Sequence, residues 1–358
     1  MGLCLEDVGY TIRGVDVAEQ YCRSINERSL RSDEPGVNVM LKHSKELRAT
    51  TQMEETSRWA DVIIVLVNTP VTGGDRYYDH SNVSNVLQTL DSYHLESKHI
   101  VISSTVLPGY YASIGKFLLQ NSPTVSYSYS PCFVAQGDIM SGFKQGGYFG
   151  MVLIGTENAK AEQFLSQMYV KMAKETVPPK CGIMTVESAE IAKLASNCFR
   201  TLKISFANFL GDLADATPNA DKHAICTALG KDASIGTTCM RPGYGYGGPC
   251  YVRDNAALAH YANSVDILPA IPLASDSYNK KHAEVMADHL LAEEKAEYVF
   301  EGVAYKPNCP VPMIDNSQKL VVAKRIADRG KRVIIRDSLP VIQAVMKEYG
   351  SAFRYEIK

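Results

Sequence analysis

Cys250 closes a stretch unlike anything else in the chain: Arg241-Pro242-Gly243-Tyr244-Gly245-Tyr246-Gly247-Gly248-Pro249-Cys250, with Arg253 and Asp254 directly after it. A thiolate is a strong nucleophile toward an electrophilic carbon when a neighbouring cation or dipole favours its formation. The four glycines before it open backbone conformations closed to other residues and let the chain approach a ligand closely. An isolated cysteine is more often a buried structural thiol, so partners decide the matter. Two stand upstream in Glu187–Asn208: Lys193 and Asn197, one helical turn apart and therefore on one side of a helix. Alone, such a pair beside an apolar stripe reads as a solvated flank. With a reactive cysteine, a lysine and an asparagine could stabilise the oxyanion of a tetrahedral intermediate. Three further positions are suited to a ligand. Asp16, in Gly14-Val15-Asp16, ends an apolar run, where an acidic residue commonly receives ribose hydroxyls; its alternative is a strand cap. Thr69-Pro70 and Thr105, before Pro108-Gly109, each follow an apolar run, and in open α/β sheets ligands bind at the carboxyl ends of strands; either could be merely a turn.

Those side chains need elements to position them. Tyr10–Val17, Ala60–Val67, His99–Val106 and Tyr148–Gly155 are β-branched, apolar runs that read as strands buried on both faces. Helical spacing lies between them at Ser81–Tyr93 and Tyr111–Leu119, and strands alternating with helices argue for a doubly wound parallel sheet. From Thr185 to Asp215 there is no proline. Ile191, Leu194, Cys198, Leu202, Phe206 and Leu213 recur there as one apolar face of a long helix. Helical stretches follow near Asn255–Ala262 and Ala274–Glu293. The α/β pattern then returns: Tyr298–Tyr305, a helix over Ser317–Arg329, Arg332–Arg336, a helix near Pro340–Glu348, and Phe353–Ile357. The expected architecture is α/β, with two Rossmann-like domains joined by a central long-helix region. Its boundaries are 1–178, 179–293 and 294–358.

Composition narrows the class. The 358 residues are 46% hydrophobic and 21% charged, enough for two or three domains with real cores. Thirty-seven Lys and Arg against thirty-nine Asp and Glu leave a formal charge of −2, and no basic run appears, which argues against nucleic acid or an acidic membrane as partner. No apolar stretch is of membrane-spanning length, and no leader-like segment opens the chain. Nine cysteines without regular spacing or a CxxC motif read as thiols of a reducing, cytoplasmic setting, and no metal site is indicated.

The first strand of a dinucleotide-binding unit, and the G-x-G-x-x-G loop expected roughly twenty residues before Asp16, are not in the sequence. Met1-Gly2-Leu3-Cys4-Leu5 could hold only the last glycine and the start of the following helix. Such a strand lies at a sheet centre, where losing its buried aliphatic residues costs on the order of 10 kcal/mol, against about 5–15 kcal/mol for a whole domain. The expectation is therefore upstream residues that supply it. The alternatives are another element in its place, or a domain that holds a dinucleotide in a different way.

In order along nearly the whole chain, these segments resemble the UDP-glucose/GDP-mannose dehydrogenase family. The resemblance is carried by Gly14-Val15-Asp16, Ala60-Asp61-Val62, Thr69-Pro70, Ser104-Thr105-Val106 with Pro108-Gly109, Ser130-Pro131, Lys193 with Asn197, Gly245-x-Gly247-Gly248-x-Cys250, and Tyr305-Lys306-Pro307-Asn308. It implies NAD-dependent oxidation of a nucleotide-sugar primary alcohol to a carboxylate in two steps, as in polysaccharide biosynthesis. A cysteine retains the intermediate aldehyde as a thiohemiacetal and then a thioester. Carried over residue by residue, it implies Cys250 as nucleophile, Lys193 and Asn197 at the oxyanion, Asp254 in proton transfer or hydrolysis, and Thr105 ordering a water. Asp16, Thr69, Pro70, Thr105 and Arg253 fall to the cofactor. Cys132, Phe133, Gln136, Lys193, Asn197, Gly243, Tyr244, Gly245, Gly247, Asn279 and Lys306 fall to the nucleotide sugar, expected to be a UDP-sugar. A homodimer paired through the central helices is also implied, with a monomer burying that apolar face internally as the alternative.

The sequence departs from the family's pattern in places. Cys132 and Gln136 stand where the family has carboxylates, Val252-Arg253 where it has Pro-Lys, and Ser234 where it has an arginine. Cys309-Pro310-Val311-Pro312-Met313 replaces its Thr-x-Asp-x-Arg. A thiol is a poor base near neutral pH, and general base catalysis is worth about 10²- to 10⁴-fold, so slower turnover is expected. The rival readings are a catalytically impaired nucleotide-sugar-binding homologue of the same fold and a single-step hydroxyacid dehydrogenase. The latter would need no cysteine.

Overall fold

A computed structural model describes residues 1–71, 77–144, 150–174 and 179–358. The chain divides into two compact units, residues 1–193 and 194–358. The first unit opens with α1 (Gly2–Glu6), β1 (Arg13–Val15), α2 (Glu19–Asn26), α3 (Val37–His43), β2 (Arg48–Thr50) and α4 (Met53–Trp59). It continues through β3 (Val62–Val65), α5 (Ser81–Ser92), β4 (His99–Ile102), α6 (Tyr110–Ser113), β5 (Ser126–Tyr129) and α7 (Ile139–Lys144). Strand β6 (Met151–Gly155), helix α8 (Ala159–Ala173) and strand β7 (Lys180–Met184) complete its sheet.

That sheet has five strands in the order β3-β4-β5-β6-β7. Strands β3 and β4 run parallel, as the alternating pattern predicts, and β5, which that pattern did not include, runs parallel to β4. Strand β6 turns back against β5 through the pair Tyr129 and Gly155, and β7 is parallel to β6, so the sheet is mixed. Strand β4 is buried along its whole length and anchors a core with Val83, Leu87, Leu90 and Val106. The expectation of strands buried on both faces fails at β1. It pairs only with β2, in a separate two-stranded ribbon, and its Arg13 and Val15 are exposed. The expected helix at Tyr111–Leu119 is a four-residue turn of helix and a 3-10 turn at Gly115–Phe117, broken at Ile114. Of the expected strand Tyr148–Gly155, residues 148 and 149 lie outside the described residues.

Helix α9 (Val186–Asp215) runs thirty residues and carries the chain from one unit to the next, as the proline-free stretch predicts. The second unit then folds as α10 (Lys222–Gly230), α11 (Gly248–Ser264) and α12 (Ala270–Ala292). It ends with β8 (Tyr298–Glu301), α13 (Gln318–Asp328), β9 (Val333–Asp337), α14 (Leu339–Tyr349) and β10 (Arg354–Ile357). The last three strands form a parallel sheet in the order β10-β9-β8, with α13 and α14 as crossovers. Its core gathers Phe300, Ile335, Leu320, Ile326 and Val345. Helix α11 starts seven residues earlier than its expected N-terminus near Asn255 because Pro249 is pre-set for a first helical turn. Cys250 therefore sits on a helix rather than in a loop.

Candidate functional site

Two glycines in the second unit set the course of the chain into Cys250. A Cβ on Gly247 would overlap the carbonyl oxygen of Asn316, and one on Gly248 would lie 2.7 Å from the Tyr305 ring. Gly248 also has φ +81°, a conformation that side chains disfavour. Its N–H donates to the Asp315 carbonyl at 2.8 Å, and Asn316 Nδ2 donates to its carbonyl at 3.2 Å. Gly247 and Gly248 thus admit the unit's own 305–316 segment, which brings Lys306, with its Nζ 5.6 Å over the Tyr305 ring, to the same loop. From there α11 presents half-buried Cys250 and, one turn later on the same side, Asp254, which is 1% exposed.

Helix α9 buries only part of the face that its apolar residues predict. Leu194 and Cys198 are buried, but Ile191, Phe206 and Leu213 are exposed, while Glu190, Lys193, Asn197, Thr201, Ser205 and Asn208 are buried in a polar stripe of three- and four-residue steps. Partners explain the buried polar stripe, because a buried polar group is tolerated when it is hydrogen-bonded. Within the second unit Asn197 Nδ2 donates to Asp254 Oδ2 at 2.7 Å, and Asn197 Oδ1 accepts from Arg200 at 3.2 Å. Thr201 Oγ1 donates to Asn255 Oδ1 at 2.9 Å, and Ser205 Oγ to the Ser275 carbonyl at 3.0 Å. Asn255 passes the network to Tyr246 OH at 3.0 Å and Asp276 at 2.9 Å, and Tyr246 OH bonds Asp276 as well. Arg253 Nε lies 4.0 Å from Asp254 Oδ1. The structure therefore joins Asn197 to Asp254 directly and sets Cys250 one turn before Asp254. Lys193 sits one turn before Asn197 on α9; it is 5% exposed, with its Nζ 4.7 Å over the Phe133 ring in the first unit.

The loop before Cys250 is held from both sides by side chains that sequence reading assigned otherwise or passed over. Asn279 accepts the Tyr246 N–H at 2.9 Å and donates to the Tyr246 carbonyl at 3.0 Å, with Gly245 against its amide. Asn208 Oδ1 accepts the Gly243 N–H at 2.9 Å, and His282 Nε2 lies 2.6 Å from the Gly243 carbonyl oxygen. Tyr244 is left partly exposed, its ring 5.6 Å from Lys319 Nζ. Asn208 and His282 had no motif to announce them. The signal for Asn208 was its place on the polar period of α9.

In the first unit the strand ends gather the remaining candidates. Thr69, nearly buried after β3, donates to the Thr105 carbonyl at 2.9 Å after β4. Ser104 Oγ ties the same two loops by accepting from Val67 N–H at 2.9 Å and donating to its carbonyl at 2.7 Å. Asp16 leaves β1 and takes the Ala18 N–H at 2.8 Å. Glu190 was missed. It is 0% exposed, and its two oxygens accept the Gly109 and Tyr111 N–H groups at 2.7 and 2.9 Å, capping the turn that follows Thr105. Burial pushes its carboxyl up to about 7, against the lowering pull of those amides. Cys132 lies after β5 beside Phe133. Burial pushes its thiol up to about 11, with the Lys193 charge among the effects that pull the other way. Gln136 is exposed on the next turn, where Glu34 accepts the Gly137 N–H at 2.7 Å.

Comparison with known proteins gives this arrangement a lineage. Residues 1–173 match the NAD binding domain, and residues 187–281 the central domain, of the UDP-glucose/GDP-mannose dehydrogenase family. The chain is 24% identical over 344 residues to a UDP-glucose 6-dehydrogenase of Rhizobium meliloti, covering 93% of this chain and 77% of that one. A GDP-mannose 6-dehydrogenase of Pseudomonas putida is also 24% identical, over 351 residues, with the same 93% and 77% covered. A solved UDP-glucose dehydrogenase from Pyrobaculum islandicum superposes with a TM-score of 0.84 at 25% identity, covering 99% of this chain and 82% of that one.

Proposed function

The chain belongs to the UDP-glucose/GDP-mannose dehydrogenase family, and from that premise we propose that it oxidises the C6 alcohol of a nucleotide sugar, a UDP-sugar, twice to a uronic acid through a covalent adduct on Cys250. The observation that carries this reading is the 2.7 Å bond from Asn197 to Asp254, with Cys250 one turn before Asp254 on α11. NAD is the family's cofactor. The first unit's residues fit it: Asp16 at the end of β1, and Thr69-Pro70 and Thr105, tied together at the carboxyl ends of the parallel strands β3 and β4. When bound, NAD+ accepts the hydride lost in each oxidation.

The protein's own residues do the rest. Once the alcohol has become an aldehyde, Cys250 Sγ adds to its carbon, and the thiol proton leaves toward Asp254. A C–S bond forms, the carbonyl π bond becomes C–O⁻, and the amide of Asn197 with the Lys193 ammonium one turn away steadies that oxygen. After the second oxidation the adduct is a thioester. A water gives up a proton to Asp254 as it adds to the thioester carbon, the C–S bond breaks, and the carboxylate leaves with the thiol restored. Holding the adduct covalently keeps a reactive aldehyde from escaping between oxidations. The expected division of labour is cofactor on residues 1–178, chemistry and dimerisation on 179–293, and nucleotide-sugar binding on 294–358 with Lys306.

A second reading, a nucleotide-sugar binder of this fold with little turnover, is favoured by Cys132. A thiol that titrates near 11 supplies no base at neutral pH in the place of a carboxylate. Incubation with a panel of UDP- and GDP-sugars and NAD+ separates the two. Two NADH per uronic acid supports the dehydrogenase, and tight sugar-nucleotide binding without NADH supports the binder.

A further inference from the structure

His282 is 5% exposed on α12, and both of its ring nitrogens meet acceptors. Nδ1 lies 3.0 and 2.9 Å from the two oxygens of Asp212 on α9, and Nε2 lies 2.6 Å from the Gly243 carbonyl oxygen. A neutral imidazole carries one N–H and can satisfy only one of these; the imidazolium donates to both. We propose that the His282 imidazolium, backed by Asp212, is a positioning residue that holds the first glycine of the Gly243–Gly248 loop in its sugar-nucleotide-binding form, so that losing its proton loosens the loop and weakens substrate binding. The proposal rests on the nucleotide-sugar reading of that loop.

The groups facing His282 all bear on its charge. Burial opposes the charge, but the bonds to Asp212 and Gly243 outweigh that and raise the imidazole above its usual value. Burial likewise opposes the charge on Asp212, yet His282 and the Tyr278 hydroxyl at 2.6 Å hold its carboxyl below the usual range. Lys222 of α10 repels the imidazolium but is itself paired with Asp215 at 2.7 Å, and His289 acts on Asp212 from the far end of α12. Because the folded value is raised, the clamp is complete in acid, below the ordinary imidazole range, and is lost as pH rises through the raised folded value. Asn208 and Asn279 hold Gly243 and Tyr246 at every pH, so the loop loosens at one end without melting.

The test uses the full chain. Imidazole ¹⁵N shifts of His282 are followed from pH 5 to 10, with hydrogen exchange of residues 242–251 corrected for the intrinsic rate. In parallel, KM and kcat for the nucleotide sugar are measured on the wild type and on His282→Gln, whose amide still reaches a carbonyl but does not titrate. Expected are two protonated ring nitrogens at pH 5, loop exchange that speeds up along the His282 titration, and a wild-type KM that rises about tenfold across it. kcat should change less than about twofold, and His282→Gln should show a flat KM profile. A single ring N–H at pH 5, or loop exchange that ignores the titration, overturns the clamp. A titrating clamp with an unchanged KM overturns its link to binding. If no nucleotide sugar is bound or oxidised, the functional reading falls while the spectra still decide the clamp.

Discussion

Asp254 illustrates how much a single residue's reading depends on its partners. A carboxylate that is 1% exposed is costly to bury unless it is hydrogen-bonded, and Asn197 supplies the bond from across the unit. Sequence spacing places Lys193 and Asn197 on one side of a helix and leaves a solvated flank as the alternative to an oxyanion role, because periodicity cannot see a partner that lies 57 residues away along the chain. Asn279, a ligand contact by resemblance, holds the backbone of Tyr246 with its amide. Two predictions belong at this scale. Cys250→Ser should stall after the first oxidation, releasing aldehyde and one NADH per sugar, read by absorbance and carbonyl trapping. Cys132→Glu should raise the rate at neutral pH by up to about 10²-fold, the lower end of what a general base contributes. The native thiol, titrating near 11, is protonated there and joins as a base only in strong alkali. An unchanged rate in the glutamate variant removes the proposed base deficit.

The elements were legible where pattern is local. Helix α9, helix α12 and the βαβαβ end of the chain follow from spacing and turn residues. Strands β2, β5 and β7 were not, since Arg48–Thr50, Ser126–Tyr129 and Lys180–Met184 lack a β-branched apolar run and owe their pairing to neighbours far along the chain. Glu190 joins α9 to the turn after β4, and removing it leaves two N–H groups without their acceptor. Glu190→Ala should cost about 1–3 kcal/mol by denaturant titration. Its pH dependence has a definite sign. A carboxyl raised to about 7 binds its proton more readily folded than unfolded, so native stability declines as pH rises from about 4.3 to 7, by at most about 1.4 kcal/mol per pH unit. Glu190→Gln should abolish that part of the slope. The glycine loop makes a steric prediction: Gly248→Ala forces a side chain at φ +81° and 2.7 Å from the Tyr305 ring. It should cost at least about 1–2 kcal/mol, lowering the melting temperature by roughly 2–4 °C per kcal/mol.

At the scale of the molecule, the family model for the NAD binding domain and the one for the central domain together span most of the chain, in the order that its motifs foretold. Within the second unit, the exposed side of α9 carries Phe199, Phe206, Phe209 and Leu213, apolar surface left uncovered on that helix. This suits the expected homodimer, because large exposed apolar patches mark interfaces. Sedimentation should give a dimer, and Phe206→Asp with Leu213→Asp should shift it to monomer. Among the described residues no helix is long and apolar enough to cross a membrane. The covalent step on Cys250 can be read by quenched-flow intact-mass analysis with nucleotide sugar and NAD+. The expected result is a transient protein adduct of one sugar nucleotide, mapped to Cys250 and absent from Cys250→Ser, with two NADH formed per uronic acid. Two NADH formed by Cys250→Ser at the wild-type rate, with no adduct on either protein, would contradict it.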